Sequence, residues 1–311
     1  MGLFQWILRQ ILFPAPHPPT YTLESHKENL LWLQPNQNSS TNLPVPCLHY
    51  SPNSPAKYFF LWCHGNGCDI GSMSRTVSGL SRRAEAHALI FEYPSYGLLS
   101  GARVSPSQES INDHAERAYL FIRDTLKWPT NRIIVYGHSI GSGSACYLAS
   151  RYDIGALILQ SPYTSIKNII GRKIGRVVNL FNIPYWNNLQ ALKDTKYPIL
   201  FIHGQRDNLI SSEESQILYD SLAENNKKQL VFLPEDDHNS ISDPVMLSHV
   251  QPFLNKYFNE PAVSLPDIEI DPKLREVPPN MPDNSRFKLI PYLINRIRSI
   301  FQPYNPPSRN E

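Results

Sequence analysis

Between residues 57 and 259, short apolar runs alternate with longer stretches in which apolar residues recur at helical spacing. The runs are Tyr58–Cys63, Ala88–Tyr93, Arg132–Tyr136, Ala156–Gln160, Ile199–His203 and Gln229–Leu233. Each is nearly unbroken by charge, and continuous rather than alternating hydrophobicity suits strands buried on both faces of a parallel sheet. The stretches 72–86, 108–127, 140–152, 212–224 and 243–258 carry the period of amphipathic helices. This strand–helix repetition predicts an α/β fold, a mostly parallel, doubly wound sheet with helices on both faces. Upstream, Leu30–Leu33 and Pro46–Tyr50 read as two antiparallel strands at one edge.

Composition sharpens the boundaries. Of 28 prolines, nine lie in residues 1–56, nine in 57–259 and ten in 260–311, so regular structure concentrates in the middle. We therefore expect an N-terminal amphipathic segment over 1–19, a compact domain over 20–259, a proline-rich acidic linker over 260–285 and a basic amphipathic tail over 286–311. A hydrophobic fraction of 41% excludes a wholly disordered chain. With 29 basic against 27 acidic residues there is no global field to attract nucleic acid, and none is expected as a partner. Four scattered cysteines (Cys47, Cys63, Cys68, Cys146) make neither a disulfide framework nor a zinc site. No apolar run approaches the roughly 20 residues that span a bilayer. The stretch Leu3–Phe13 is broken by Gln5, Arg9 and Gln10 and lacks the marks of a signal peptide, and Trp6 stands where a myristoylation signal has Ser or Thr.

In sheets of this kind the chemistry gathers beyond the carboxyl ends of the strands. After the third of the six runs comes Gly137-His138-Ser139-Ile140-Gly141, a G-x-S-x-G between strand and helix. The flanking glycines permit a tight turn that lifts a strained serine clear of the sheet, which marks Ser139 as nucleophile. A serine hydroxyl needs a base within hydrogen-bond reach. Of ten histidines, His238 lies in the loop after the last strand, where such an architecture presents one. His64 and His203 read as loop-packing residues, His114 as part of a solvated helix face, and His138 as pointing away from the nucleophile. The acid that fixes the histidine tautomer is expected to be Asp207, with Asp236 and Asp237 as nearby competitors. The amide of Ile140 and that of Asn66, in the first strand–helix loop, are the expected oxyanion donors. No metal or organic cofactor is called for.

Several stretches in register resemble one branch of a known family. They are Leu61-Trp62-Cys63-His64-Gly65-Asn66-Gly67-Cys68-Asp69-Ile70-Gly71, Phe91-Glu92-Tyr93-Pro94-Ser95-Tyr96-Gly97, Ile134 through Gly141, Gln160-Ser161-Pro162-Tyr163-Thr164-Ser165 and Phe201-Ile202-His203-Gly204. Over roughly residues 57–255 the chain resembles the alpha/beta hydrolase domain-containing 17 group and its Bem46-like relatives. The resemblance implies an alpha/beta-hydrolase fold and a serine hydrolase that removes fatty acyl groups from protein cysteines at membranes. It carries Ser139, Asp207 and His238 over as triad, and Asn66 with Ile140 as oxyanion hole. The chain departs from the group in having no cysteine before Cys47, and in His138 where the group usually has glutamine.

Two ends are candidates for a membrane surface. Leu293, Ile294, Ile297, Ile300 and Phe301 share one face of a helix over Pro291–Gln302, and residues 284–310 hold five basic residues and no acid. Phe4, Ile7, Leu8, Ile11 and Leu12 share a face within Leu3–Phe13. Packing of either helix on the domain is the alternative. The segment 163–197 is expected to be either a small lid that receives an acyl chain or a sheet-covering helix.

The expected protein is thus cytoplasmic and peripheral on a membrane, acting on an acylated protein or lipid. A lipid esterase or lysophospholipase, a serine aminopeptidase and a catalytically silent scaffold are the rivals.

Overall fold

The computed structural model describes residues 3–180, 183, 185–224, 227–258, 265–279 and 281. Its centre is an eight-stranded sheet in the order β1-β2-β4-β3-β5-β6-β7-β8. The strands are β1 (Leu30–Leu33), β2 (Val45–Tyr50), β3 (Tyr58–Cys63), β4 (Ala86–Phe91), β5 (Ile133–His138), β6 (Ala156–Gln160), β7 (Ile199–Gly204) and β8 (Lys228–Leu233). From β4 to β8 all neighbours are parallel, while β1 and β2 form the antiparallel edge that the sequence predicts. This is the alpha/beta-hydrolase arrangement, a doubly wound sheet with a small additional segment after β6.

The pleat divides each strand between two cores. Phe59, Leu61 and Cys63 of β3 join Val135, Leu159 and Phe201 on one face. Tyr58, Phe60 and Trp62 join Tyr136, Ile158 and Ile202 on the other. The first face is covered by α3 (Gln108–Leu120), α4 (Gly141–Arg151) and α7 (Glu213–Ser221), through residues such as Tyr119, Leu148 and Leu218. The second is covered by α2 (Ile70–Arg83) and α8 (Asp243–Tyr257), through Val77, Leu80, Val250 and Phe253. Both faces buried explains why the strands read as unbroken apolar runs.

One boundary moves for a physical reason. The strand expected at Ala88–Tyr93 starts two residues earlier, because His87 is not a polar stop. Its ring stacks with His49 and Phe59 and meets Trp128 edge-on. The strand ends at Phe91 because Glu92 turns inward, where its carboxylate accepts from Tyr21 Oη at 2.9 Å and from the amide of Ile70 at 3.3 Å.

The flanks also meet the domain. The N-terminal helix α1 (Leu3–Leu12) buries Leu8 and Leu12, and Phe13 beyond it packs on Tyr185 and Trp186. Burial of three such side chains contributes about 1.5–3 kcal/mol each. Over its described part, the expected linker is a covering segment instead. Leu265, Ile268, Ile270 and Leu274 pack against the first core, and Arg275 donates to the carbonyl of Glu28 beside β1. A proline-rich stretch suits this role, since it shields an edge strand without offering a row of amides for further pairing. The tail over Pro291–Gln302 lies outside the described residues.

Candidate active site

The site is built where β3, β5, β7 and β8 end. At the tip of β5 the glycines of Gly137-His138-Ser139-Ile140-Gly141 are required by close approach. A Cβ on Gly137 would stand 2.7 Å from that of Ala145, and one on Gly141 would overlap the carbonyl oxygen of Cys63. Between them Ser139 takes a φ of 53°. A non-glycine residue in that left-handed region costs on the order of 1–3 kcal/mol and persists only where its surroundings enforce it. They do so here: the Ser139 amide donates to Gln160 O at 2.9 Å, and Ser142 Oγ donates to Ser139 O at 2.7 Å.

Gly204, at the end of β7, lets the next two loops close on each other, since a Cβ there would overlap the carbonyl of Asp236. The amide of Arg206 donates to Asp236 O at 2.9 Å, and that of Gln205 to Leu233 O at 2.8 Å. This stitching brings Asp207 and His238 together. The Nδ1 of His238 lies 2.6 Å from Asp207 Oδ2, and its Nε2 lies 2.9 Å from Ser139 Oγ. A carboxylate accepts only, so Nδ1 carries the hydrogen and Nε2 is left to accept from the serine hydroxyl. All three residues are buried.

Asp207 is held on every side. Its Oδ1 accepts from the amides of Leu209 at 2.9 Å and Ile210 at 2.8 Å. Burial alone would push this carboxyl up, but hydrogen bonds from His203, His238 and the Ile210 amide outweigh it and hold the group well below the ordinary carboxylate range. The two competitors are spent locally. Asp237 is exposed and caps its own turn, accepting from the amides of Asn239 and Ser240 at 2.8 and 2.9 Å, and Asp236 accepts from Ser240 Oγ.

The expected oxyanion donors are placed by the same close approaches. The carbonyl oxygens of Cys63 and His64 lie against Gly141, which sets the loop of Asn66 beside the start of α4. Asn66 Oδ1 accepts from Tyr96 Oη at 3.3 Å and from the Gly67 amide at 3.1 Å, folding that side chain back on its loop. Among the described residues, neither the Asn66 amide nor the Ile140 amide finds an acceptor. Unpaired amide donors of this kind are what a developing oxyanion requires.

His114 and His203 differ from the sequence-based expectation. His114 is buried rather than solvated. Its Nδ1 lies 2.7 Å from Glu92 O, its Nε2 3.5 Å from Thr41 Oγ1, and burial pushes it down to about 3. His138 stands beside the site, its ring centroid 5.5 Å from that of His238 and its Nδ1 against Gly65. Burial first, and then the neighbouring His238, push it down to about 3. His203 does not merely pack a loop: its Nε2 lies 3.2 Å from Asp207 Oδ2. The pattern His-Gly-x-x-Asp was the signal available in the sequence.

Over the first face, the segment after β6 forms α5 (Ile166–Ile174), a 3-10 turn over Gly175–Leu180 and α6 (Asn188–Ala191). Trp186 presses on Gly143 of α4 and donates to Asn112 Oδ1 at 2.9 Å, while buried Glu214 of α7 accepts from the Thr164 amide at 2.7 Å and faces Arg172 at 3.0 Å. The segment therefore caps α4 and α7 rather than lying on the sheet. Clefts of about 620 and 540 Å³ open elsewhere, one lined by Arg9, Asp113, Glu116 and Tyr185 and one below α5, and no triad residue lines either. Among the described residues there is no cluster of His, Cys, Asp or Glu set to hold a metal, and no helix long and apolar enough to cross a membrane.

No protein-family model matches the chain. It is 28% identical over 277 residues to a putative alpha/beta hydrolase, L404, of Acanthamoeba polyphaga mimivirus, a match covering 83% of this chain and 100% of that protein. It is 30% identical over 176 residues to alpha/beta hydrolase domain-containing protein 17B of Homo sapiens. That match spans 57% of this chain and 59% of the human protein, less than two thirds of its length. Among solved structures, an esterase of Pyrococcus furiosus, Pf2001, superposes with a TM-score of 0.60 at 16% identity, covering 78% of this chain and 96% of its own. Est1E from Butyrivibrio proteoclasticus superposes with a TM-score of 0.56 at 16% identity, covering 75% and 100%. The chain has the alpha/beta-hydrolase fold and resembles the alpha/beta hydrolase domain-containing 17 group.

Proposed function

We propose that this chain of the alpha/beta-hydrolase fold is a serine hydrolase that cleaves acyl thioesters or esters. The observation that carries the reading is the unbroken line from Asp207 Oδ2 to His238 Nδ1 at 2.6 Å and from His238 Nε2 to Ser139 Oγ at 2.9 Å. In this mechanism Ser139 Oγ attacks the acyl carbonyl as its proton passes to His238 Nε2. Asp207 keeps the imidazole oriented and stabilises its cationic form. The carbonyl oxygen, now negative, is received by the amides of Ile140 and Asn66, each worth about 3–4 kcal/mol in such a site. Collapse expels the thiol or alcohol, which takes the proton back from His238. Water then repeats the sequence in reverse and frees Ser139.

Resemblance to the 17B protein supports a finer reading: a membrane-associated protein depalmitoylase (palmitoyl-protein thioesterase). Labelling by a fluorophosphonate probe tests the broad reading, with wild type expected to label and Ser139→Ala not. Turnover of a palmitoyl-peptide thioester set against that of a lysophospholipid tests the finer one. A clear preference for the lysophospholipid would replace the depalmitoylase with a lipid esterase.

A further inference from the structure

Behind the acid of the triad stands a second imidazole. His203 is the penultimate residue of β7, four residues before Asp207, and is fully buried. Its Nε2 lies 3.2 Å from Asp207 Oδ2, the same oxygen that receives His238, and 3.0 Å from the carbonyl of Ile210. Its Nδ1 lies 2.6 Å from Ser215 Oγ on α7. Two acceptors face Nε2, so a hydrogen must sit there, since a bare nitrogen would meet two oxygens lone pair to lone pair. Ser215 fits this arrangement as donor to Nδ1.

We infer that His203, itself fixed by Ser215, is a positioning residue that clamps the same Asp207 oxygen that His238 uses. The inference rests on the triad reading given above. A buried carboxylate facing one imidazole alone is free to rotate about its last bond or to accept a proton. The amides of Leu209 and Ile210 occupy Oδ1, and His203 supplies the further donor that keeps Oδ2 aimed at His238. The His203 hydrogen bond also acts with that from His238 to hold the Asp207 carboxyl low against its burial. The clamp joins two elements. β7 carries His203, α7 carries Ser215, and the loop between them carries the acid, so the acid is set by the packing of a helix on a strand.

The test pairs two substitutions in the full chain with one measurement on wild type. In His203→Asn the amide reaches only as far as Nδ1 did, keeping Ser215 but not Asp207. In His203→Gln the amide extends to the place of Nε2. With p-nitrophenyl butyrate as probe substrate, the Asn variant is expected to lose about 10- to 100-fold in kcat at nearly constant KM, the effect of one charge-assisted hydrogen bond. The Gln variant is expected to regain most of that loss. Equal kcat in folded Asn and Gln variants overturns the inference. Nitrogen-15 NMR of wild-type histidine side chains is expected to find a hydrogen on His203 Nε2, and a bare Nε2 overturns the inference with no variant needed. If wild type itself neither turns over the ester nor takes up a fluorophosphonate, the hydrolase reading fails while the tautomer measurement still decides the clamp.

Discussion

His238 Nε2 lies 2.9 Å from Ser139 Oγ although 99 positions of chain separate them. The contact exists because β5 and β8 end on the same side of the sheet and because glycines stand where backbones meet. Ser139→Ala removes the attacking atom while leaving that framework intact. We expect kcat to fall by at least about a thousandfold with the unfolding temperature unchanged. A variant that keeps wild-type turnover would place the chemistry elsewhere.

Asp207→Asn tests the acid separately. An amide in place of the carboxylate can present its NH₂ group to His238, which then turns over its tautomer and offers a hydrogen, not a lone pair, to Ser139. The expected loss is on the order of 10⁴ in kcat, a figure known from a protease triad of the same design. The same substitution at Asp237, which caps an exposed turn, should leave turnover within about twofold of wild type. Reversal of that ranking in steady-state kinetics would assign the acid to Asp237.

Gly141→Ala makes a structural claim. The new methyl would overlap backbone carbonyl oxygen of Cys63, which no side-chain movement relieves, so the turn or the Asn66 loop must shift. Overpacking of this kind costs about 1–3 kcal/mol, and here it falls on the oxyanion donors as well. Both the denaturant midpoint and fluorophosphonate labelling should fall. Loss of neither would mean that the elbow has more room than this packing shows.

Much of this was legible in the sequence because it is written locally. The spacing of Gly137, Ser139 and Gly141 encodes a tight turn, six apolar runs encode a parallel sheet, and Leu30–Leu33 with Pro46–Tyr50 encodes its antiparallel edge. What escaped depends on partners far along the chain. His114 sits among charged neighbours in α3 and looks solvated, yet its ring is received by Glu92 and Thr41, 22 and 73 positions away. Nothing within a helical turn announces that burial. The cover formed by 265–279 escaped for the same reason, since a proline-rich stretch reads as a spacer until the edge strand it shields is in place.

Buried histidines set the pH dependence of stability. His49 and His114 are each pushed down to about 3, and His87 to about 4, chiefly by burial. In the unfolded chain each ring takes up its proton near pH 6.5, so below that value the unfolded state binds more protons than the folded one. Stability is therefore full above pH 6.5 and falls as pH drops toward 4. Each of His49 and His114 contributes a slope on the order of 1.4 kcal/mol per pH unit. Urea midpoints at pH 7.5, 6 and 5 should descend in that order. A flat series would show these rings accepting protons in place.

The N-terminal helix sets two demands against each other, and one substitution separates them. If α1 serves as a membrane anchor, its apolar stripe must face lipid, yet Leu8, Leu12 and Phe13 are each less than 9% exposed against the domain. The Phe13 ring meets that of Tyr185 tilted at 5.8 Å and that of Trp186 edge-on at 6.3 Å, and Trp186 in turn presses on the helix that follows the nucleophile. Phe13→Ala should therefore lower stability by about 3–5 kcal/mol in solution, as truncation of a buried aromatic does. Liposome flotation of the same variant gives the complementary reading. Should the helix leave the domain for the bilayer, weakening its seat on Trp186 favours release, and flotation rises as stability falls. Should attachment run through the tail over Pro291–Gln302 alone, stability falls and flotation stays put. Unchanged stability would show that Phe13 contributes nothing to the fold, and the helix would then be free to serve the membrane outright.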